Sequence, residues 1–327
     1  MRNNKELIGK NYMKKVISVL ILLTASTLAS AQTTVKATFP WKNVTRHYTV
    51  VMPPKNIPLS GELVITLHGL RYANSSTLPD NNYYGWDYTC KQKGTGCIVV
   101  AAVSTWDPDA TSQGSPGYWV WNASFFNNMV FSKKAPPFTP YPDDIGYLRQ
   151  LITTVRAKYP VINPKKIYVV GFSVGAFMAA LVADQLSDLV AAVAIDSGVL
   201  QSTLGTPAVP NILSPVSVRE YHGTADTNAL GVDPCSATWD WNKYLPEKST
   251  VDATFSFFDT QNKCKVQSTA LPLCQVLKGV KVYNNKTASS CSNGGVVQFV
   301  WEVGVKHQYL TQHNASDLAF FRAHPKP

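Results

Sequence analysis

The chain has 327 residues, with 30 Lys and Arg against 20 Asp and Glu, for a formal charge of +10. The basic excess is scattered, with no run of Lys and Arg like those that track a phosphate backbone, so a nucleic-acid partner is not expected. The cysteines (Cys90, Cys97, Cys235, Cys264, Cys274 and Cys291) are even in number and include no C-x-x-C pair. That argues against zinc or thioredoxin chemistry and for up to three disulfides in an oxidising compartment.

The first residues read as a targeting segment. Met13 is followed by Lys14-Lys15, then the apolar run VISVLILLTA, then STLASA. A basic patch, a short apolar stretch and a small-x-small ending describe a secretory signal peptide, with cleavage expected after Ala31. No later stretch is long and apolar enough to span a bilayer, so no membrane association is expected after cleavage. Removal of residues 1–31 takes away Arg2, Lys5, Lys10, Lys14, Lys15 and Glu6, which lowers the charge to +6. Residues 32–327 suit one large α/β domain, without internal repeat or Ser/Thr/Pro linker.

In chain order, residues 32–60 predict an opening hairpin that includes RHYTVVM and is ended by Pro53-Pro54. GELVITLHG and CIVVAAV are continuous apolar runs, the pattern of strands buried on both faces. From Asp143, behind Pro142, Ile145, Leu148, Ile152 and Val155 fall at helical spacing until Tyr159-Pro160. KKIYVV predicts a strand, FMAALVADQL an alanine-rich helix, and VAAVAID and VSVREYHG two more strands. VVQFVWEVG predicts the last strand and ASDLAFFRAH the closing helix. Strands alternating with helices imply a mostly parallel sheet covered on both faces, the α/β class, with ligands beyond the carboxyl ends of the strands.

Between KKIYVV and its helix lies Gly171-Phe172-Ser173-Val174-Gly175, a G-x-S-x-G pattern. The order strand, turn, helix is what a nucleophile elbow requires: the turn is strained and its neighbours must be small. A serine hydroxyl needs a base to remove its proton and an acid to orient that base. Asp226, in the turn-rich stretch after VREYHG, is the predicted acid, with Asp233 and Asp240 in reserve. His307, after the last strand and Gly304, is the predicted base, with His313 as competitor. A tetrahedral intermediate also needs two preset N–H donors. These are assigned to the amides of Val174, after the nucleophile, and Leu70, which follows Gly69. His47, His68, His222 and His324 are read as structural.

The set LVITLHG, DDIGYLRQLI, INPKKIYVVGFSVGAFMAALVA, YHGTADT, VGVKH and SDLAFFRAHP, running in order from Arg46 to the C-terminus, resembles the secreted esterase family of polyhydroxybutyrate depolymerases and feruloyl esterases. The resemblance implies an α/β-hydrolase fold and a Ser173–Asp226–His307 triad, with neither metal nor organic cofactor. It also implies an extracellular polymeric or oligomeric ester as substrate. The chain departs from the family pattern at Val174 and Ala176, at Leu70-Arg71 after HG, and in VGVK before the histidine. Those changes bear on the acyl pocket.

Aromatic segments read as loops rimming the cleft supply Tyr118, Trp119, Trp121 and Trp239 as candidate substrate contacts, with Tyr83, Tyr84, Trp86, Phe125, Phe126 and Trp241 nearby. Cys90 and Cys97 are expected to close a small disulfide loop over KQKGTG, and the other cysteines to brace the Asp-to-His region. Asn43, Asn74, Asn122, Asn285 and Asn314 head N-x-S/T sequons, which are glycosylation sites only in a eukaryotic secretory pathway. Three main readings of function follow. The first is a feruloyl or related acyl esterase acting on plant cell-wall polysaccharide. The second is a polyester depolymerase, and the third a non-catalytic carbohydrate-binding protein; other esterases, acetylxylan types included, make up the remainder.

Overall fold

The opening hairpin folds as its alternation demands: β1 (Thr33–Trp41) pairs antiparallel with β2 (Val44–Met52). The computed structural model describes residues 31–42, 44–72, 83–112, 115–123, 142–200, 214–226, 251–265, 274–278, 280–288 and 291–327. In chain order there follow β3 (Leu63–Leu67), β4 (Arg71–Tyr72), α1 (Trp86–Cys90), β5 (Ile98–Ala102), β6 (Thr105–Ser112) and β7 (Ser115–Val120). Next come α2 (Asp144–Lys158), β8 (Ile167–Phe172), α3 (Val174–Gln185), β9 (Ala192–Asp196) and β10 (Ser217–Gly223). The rest are α4 (Val251–Gln261), β11 (Cys274–Leu277), β12 (Val280–Tyr283), β13 (Lys286–Ala288), β14 (Val297–Glu302) and α5 (Asn314–Ala323).

Among the described residues, nine strands form one sheet in the order β1-β2-β5-β3-β8-β9-β10-β14-β13. Its centre, from β5 to β14, is parallel, and the two edges are antiparallel. Every residue of β3, β5 and β9 is buried, which is why these runs lack polar alternation. The pleat sends successive side chains to opposite cores. Leu63, Ile65, Ile167 and Val169 pack with α2 and α3, while Val64, Tyr168 and Val170 pack with Trp86 of α1 and Phe321 of α5.

The helices begin and end where local chemistry directs. Asp143 caps α2 by accepting from Gly146 N at 2.8 Å, and Arg156 and Lys158 in the last turn complement the negative helix end. In α3 every residue from Val174 to Asp184 is buried, and the run of alanines lets the helix lie close against β8 and β9. The sequence expectations for β1–β3, β5, α2, β8, α3, β9, β10, β14 and α5 agree with these positions.

Two expectations change. Trp86 starts helix α1, and Tyr118 and Trp119 lie on β7, in a separate antiparallel sheet of order β4-β7-β6, instead of on loops. The apolar run from Tyr118 to Val120 is short and follows Pro116-Gly117, residues that punctuate a strand pattern and signal a turn or loop. Helix α4 and strands β11 to β13 were not expected either. In α4 the helical signal is diluted by Phe and Thr, and Phe255 and Phe258, one turn apart, supply its buried contacts.

Two disulfides, Cys90–Cys97 and Cys264–Cys291, lie among the described residues, and they suit an oxidising environment. The first is the expected local pair, and the second braces the region between Asp226 and His307. Among the described residues no helix is long and apolar enough to cross a membrane.

Candidate active site

The elbow is built by close packing that only small residues allow. Ser173 has φ 56° and ψ −122°, a left-handed conformation that a serine adopts only when its surroundings hold it. A Cβ on Gly171 would come within 2.0 Å of the Gly175 carbonyl oxygen, and one on Gly175 within 2.1 Å of that of Leu67. Both glycines of the motif are therefore steric necessities. Ser173 N donates to the Asp196 carbonyl at 3.0 Å, tying the turn to the end of β9. Burial, and next the negative charge of Glu302, push the Asp196 carboxyl well above the usual carboxylate range.

Asp226 and His307 arrive from two neighbouring strands whose following loops are stitched together. Thr224 N donates to Glu302 O at 2.9 Å, Ala225 N to Val305 O at 3.0 Å, and Gly304 N to Thr224 Oγ1 at 2.8 Å. A Cβ on Gly223 would meet the Val305 carbonyl oxygen at 2.2 Å, so the crossing again depends on a glycine. The result is a continuous chain of hydrogen bonds. His307 Nδ1 lies 2.8 Å from Asp226 Oδ2, and His307 Nε2 lies 2.9 Å from Ser173 Oγ. A carboxylate can only accept, so Nδ1 carries the ring proton and Nε2 is left to accept from the serine hydroxyl. The Asp226 side chain is fully buried, whereas that of His307 retains 18% of its exposure, open to a substrate.

The remaining candidates divide clearly. Val174 is the first residue of α3, so its N–H has no acceptor within the helix. Leu70 follows Gly69, whose added Cβ would lie 3.2 Å from that of Ser173, so this loop passes directly beside the elbow. Trp121 is fully buried and donates from Nε1 to the His68 carbonyl at 2.8 Å. Tyr118 and Trp119, the other two candidate substrate contacts on this stretch, are also buried. Trp239, Asp233 and Asp240 lie outside the described residues. His313 is engaged elsewhere, 2.8 Å from Glu302 Oε1 and stacked on Tyr221. His324 donates from Nδ1 to Phe320 O, a capping contact. Asn314 is buried with both amide atoms bonded, to Tyr84 O and Tyr309 OH, so its sequon offers no free acceptor.

Sequence reasoning missed the aromatic wall behind the histidine. The Phe172 ring lies 4.8 Å from the His307 ring, and Tyr84 and Tyr309 pack on Phe172 in turn. Trp86 Nε1 donates to Tyr309 OH, which donates to Asn314 Oδ1. Tyr84 and Trp86 share one segment, but nothing in the spacing joins them to Phe172 and Tyr309, which come from two distant parts of the chain. Beneath the site, His222 is fully buried with Nε2 3.9 Å from Asp226 Oδ2. Desolvation pushes its pKa down to about 4, against a smaller upward pull from Asp226, so the ring is neutral near pH 7. Among the described residues no group of three His, Cys, Asp or Glu could hold a metal ion.

No protein-family model and no curated protein matches the chain. Solved structures do. An acetyl xylan esterase from Aspergillus awamori aligns with TM-score 0.51 and 16% identity, over 89% of this chain and 99% of that one. A thermostable esterase aligns with TM-score 0.52 and 15% identity, over 91% of this chain and 64% of that one. An S-formylglutathione hydrolase from Agrobacterium tumefaciens aligns with TM-score 0.50 and 10% identity, over 90% and 96%. At these identities the likeness shows the fold, which is that of the α/β-hydrolases.

Proposed function

We propose that the chain is a secreted serine carboxylesterase, with Ser173 as nucleophile, His307 as general base and acid, and Asp226 as the carboxylate that orients the ring. The single observation that carries this reading is the unbroken hydrogen-bonded chain from Ser173 Oγ through both ring nitrogens of His307 to Asp226. Ser173 Oγ attacks the ester carbonyl while His307 Nε2 takes its proton. The oxyanion of the tetrahedral intermediate accepts from the Leu70 and Val174 amides, assisted by the positive end of α3. Collapse expels the alcohol, which leaves with the proton from His307. Water, deprotonated by the same nitrogen, then releases the carboxylic acid and restores the serine.

For substrate, we assign feruloyl and related acyl esters of plant cell-wall polysaccharide. The motif resemblance supports this, as does the half-buried ring of Phe172 beside His307, which offers a flat apolar face to an aromatic acyl group. Acetylated polysaccharide is the second reading, favoured by alignment along 99% of a chain named as an acetyl xylan esterase. The two disulfides and the apolar run after Lys14-Lys15 support export.

The test is a panel of methyl ferulate, acetylated xylan and amorphous polyhydroxybutyrate, with Ser173→Ala as control. The wild type is expected to turn over methyl ferulate fastest. Ser173→Ala is expected to lose turnover by about 10⁶-fold while its thermal unfolding stays nearly unchanged. Asp226→Asn should lower kcat by about 10⁴-fold, because the amide can present its N–H to Nδ1 and favours the wrong tautomer. Release of 3-hydroxybutyrate faster than ferulate would move the substrate to polyesters. Turnover surviving in Ser173→Ala would remove the nucleophile.

A further inference from the structure

The loop after β3 is held by three side chains, and their bonds fall on consecutive peptide groups. The His68–Gly69 peptide is gripped at both ends: its carbonyl accepts from Trp121 Nε1 at 2.8 Å, and its N–H donates to Tyr84 OH at 2.9 Å. The next peptide, Gly69–Leu70, has its carbonyl 2.6 Å from His68 Nδ1. Ser104 N donates to His68 Nε2 at 3.2 Å, which makes Nε2 the acceptor and leaves the ring proton on Nδ1, where it points at the Gly69 carbonyl. In a planar trans peptide the carbonyl and the following N–H point in opposite directions. Fixing the Gly69 carbonyl on the buried imidazole therefore turns the Leu70 N–H away from it.

The three side chains are themselves anchored on opposite faces of the sheet. Trp121 is fully buried, 5.3 Å from the His68 ring and stacked on Tyr147 of α2. Tyr84 packs on Phe172, next to the elbow serine, and on Tyr309, two residues beyond His307. The geometry points to Trp121, Tyr84 and His68 as positioning residues that preset the peptide carrying the Leu70 N–H for the developing oxyanion. This rests on the proposed esterase reading and gives Trp121 a role different from substrate contact. Preset donors stabilise a transition state because no reorientation is needed as charge develops, so a loosened peptide should cost rate and leave ground-state binding almost unaffected.

The test compares Tyr84→Phe, Trp121→Phe, His68→Leu and His68→Asn with wild type on a p-nitrophenyl ester. The measurements are kcat, KM, thermal unfolding, and Ki for a trifluoromethyl ketone that forms a tetrahedral oxyanion on the serine. Tyr84→Phe, Trp121→Phe and His68→Leu should lower kcat by about tenfold or more with KM within about twofold, and raise Ki in the same proportion. His68→Asn, whose amide N–H can reach the same carbonyl, should recover part of the loss. A lowered unfolding temperature with kcat and Ki within about threefold of wild type would overturn the proposal. Should Trp121→Phe not fold, Tyr84→Phe, which removes one hydroxyl, decides alone. Ser173→Ala runs in parallel: an inert wild type, or an active Ser173→Ala, would sink the esterase reading itself instead of the clamp.

Discussion

His222 is the residue at which the site's environment has its clearest thermodynamic consequence. Its ring is fully buried, and its pKa falls from 6.5 to about 4, with loss of hydration as the leading cause. Between those two values the unfolded chain binds a proton that the folded chain refuses, so stability is lost as pH drops from about 6.5 to about 4. At about 1.4 kcal/mol per unit, the loss is on the order of 3 kcal/mol. The buried carboxyls Asp144, Asp196 and Asp317 are raised by burial and act with the opposite sign, so total acid stability does not isolate the effect. The measurement is therefore a difference. Urea unfolding of wild type and His222→Gln at pH 7 and pH 4 should show the wild type losing roughly 2–3 kcal/mol relative to the variant on acidification. A pH-independent difference would show that the ring has no such proton-linked cost.

At the scale of elements, the N-terminus of α2 is where the edge of the sheet is joined to the core. Arg46 of β2 and Asp144 of α2 form a fully buried ion pair at 2.6 Å. Asp144 also accepts from Asn122 N at 2.6 Å, and the Arg46 guanidinium lies 3.8 Å over the Tyr147 ring. Burial raises the Asp144 carboxyl while Arg46 opposes it, the balance expected of a pair taken out of water together. Asp144→Ala should destabilise the protein by roughly 3–5 kcal/mol, because it strands a buried guanidinium. Arg46→Met combined with Asp144→Leu should lose far less. Denaturant unfolding of the single and double variants checks both; equal losses would show that packing, and not the unpaired charge, sets the cost.

For the whole molecule, the sheet delivers its site residues to one end while disulfides tie the chain outside it. Cys264–Cys291 closes a separation of 27 residues between α4 and β14, and Cys90–Cys97 closes one of 7. Loop closure in the unfolded chain makes the longer cross-link worth about 3–4 kcal/mol and the shorter one less. Cys264→Ser with Cys291→Ser should therefore lower the unfolding temperature by several degrees, and Cys90→Ser with Cys97→Ser should lower it by less. Ester turnover at 25 °C should persist under reduction, because the hydrogen bonds joining the loops after β10 and β14 do not involve cysteine. Loss of turnover without unfolding would show that the disulfide positions the site directly.

The strands of the parallel centre, the capped helix α2 and the elbow were legible in the sequence, because each is specified by neighbours within a few positions: continuous apolar runs, Asp143 before a helical period, and glycines on both sides of Ser173. The places of Asp226 and His307, after the strands that became β10 and β14, were legible in the same way. Only the tertiary structure decided that His307, and not His313, reaches the serine, since both follow the same strand and the stitching through Gly223 and Val305 selects between them. It also decided that Trp121 lies buried against a backbone carbonyl while Phe172 faces the histidine. An aromatic residue has the same local signature in a core as on a cleft wall. Which of the two it occupies is set by partners from distant parts of the chain, and local pattern carries no information about them.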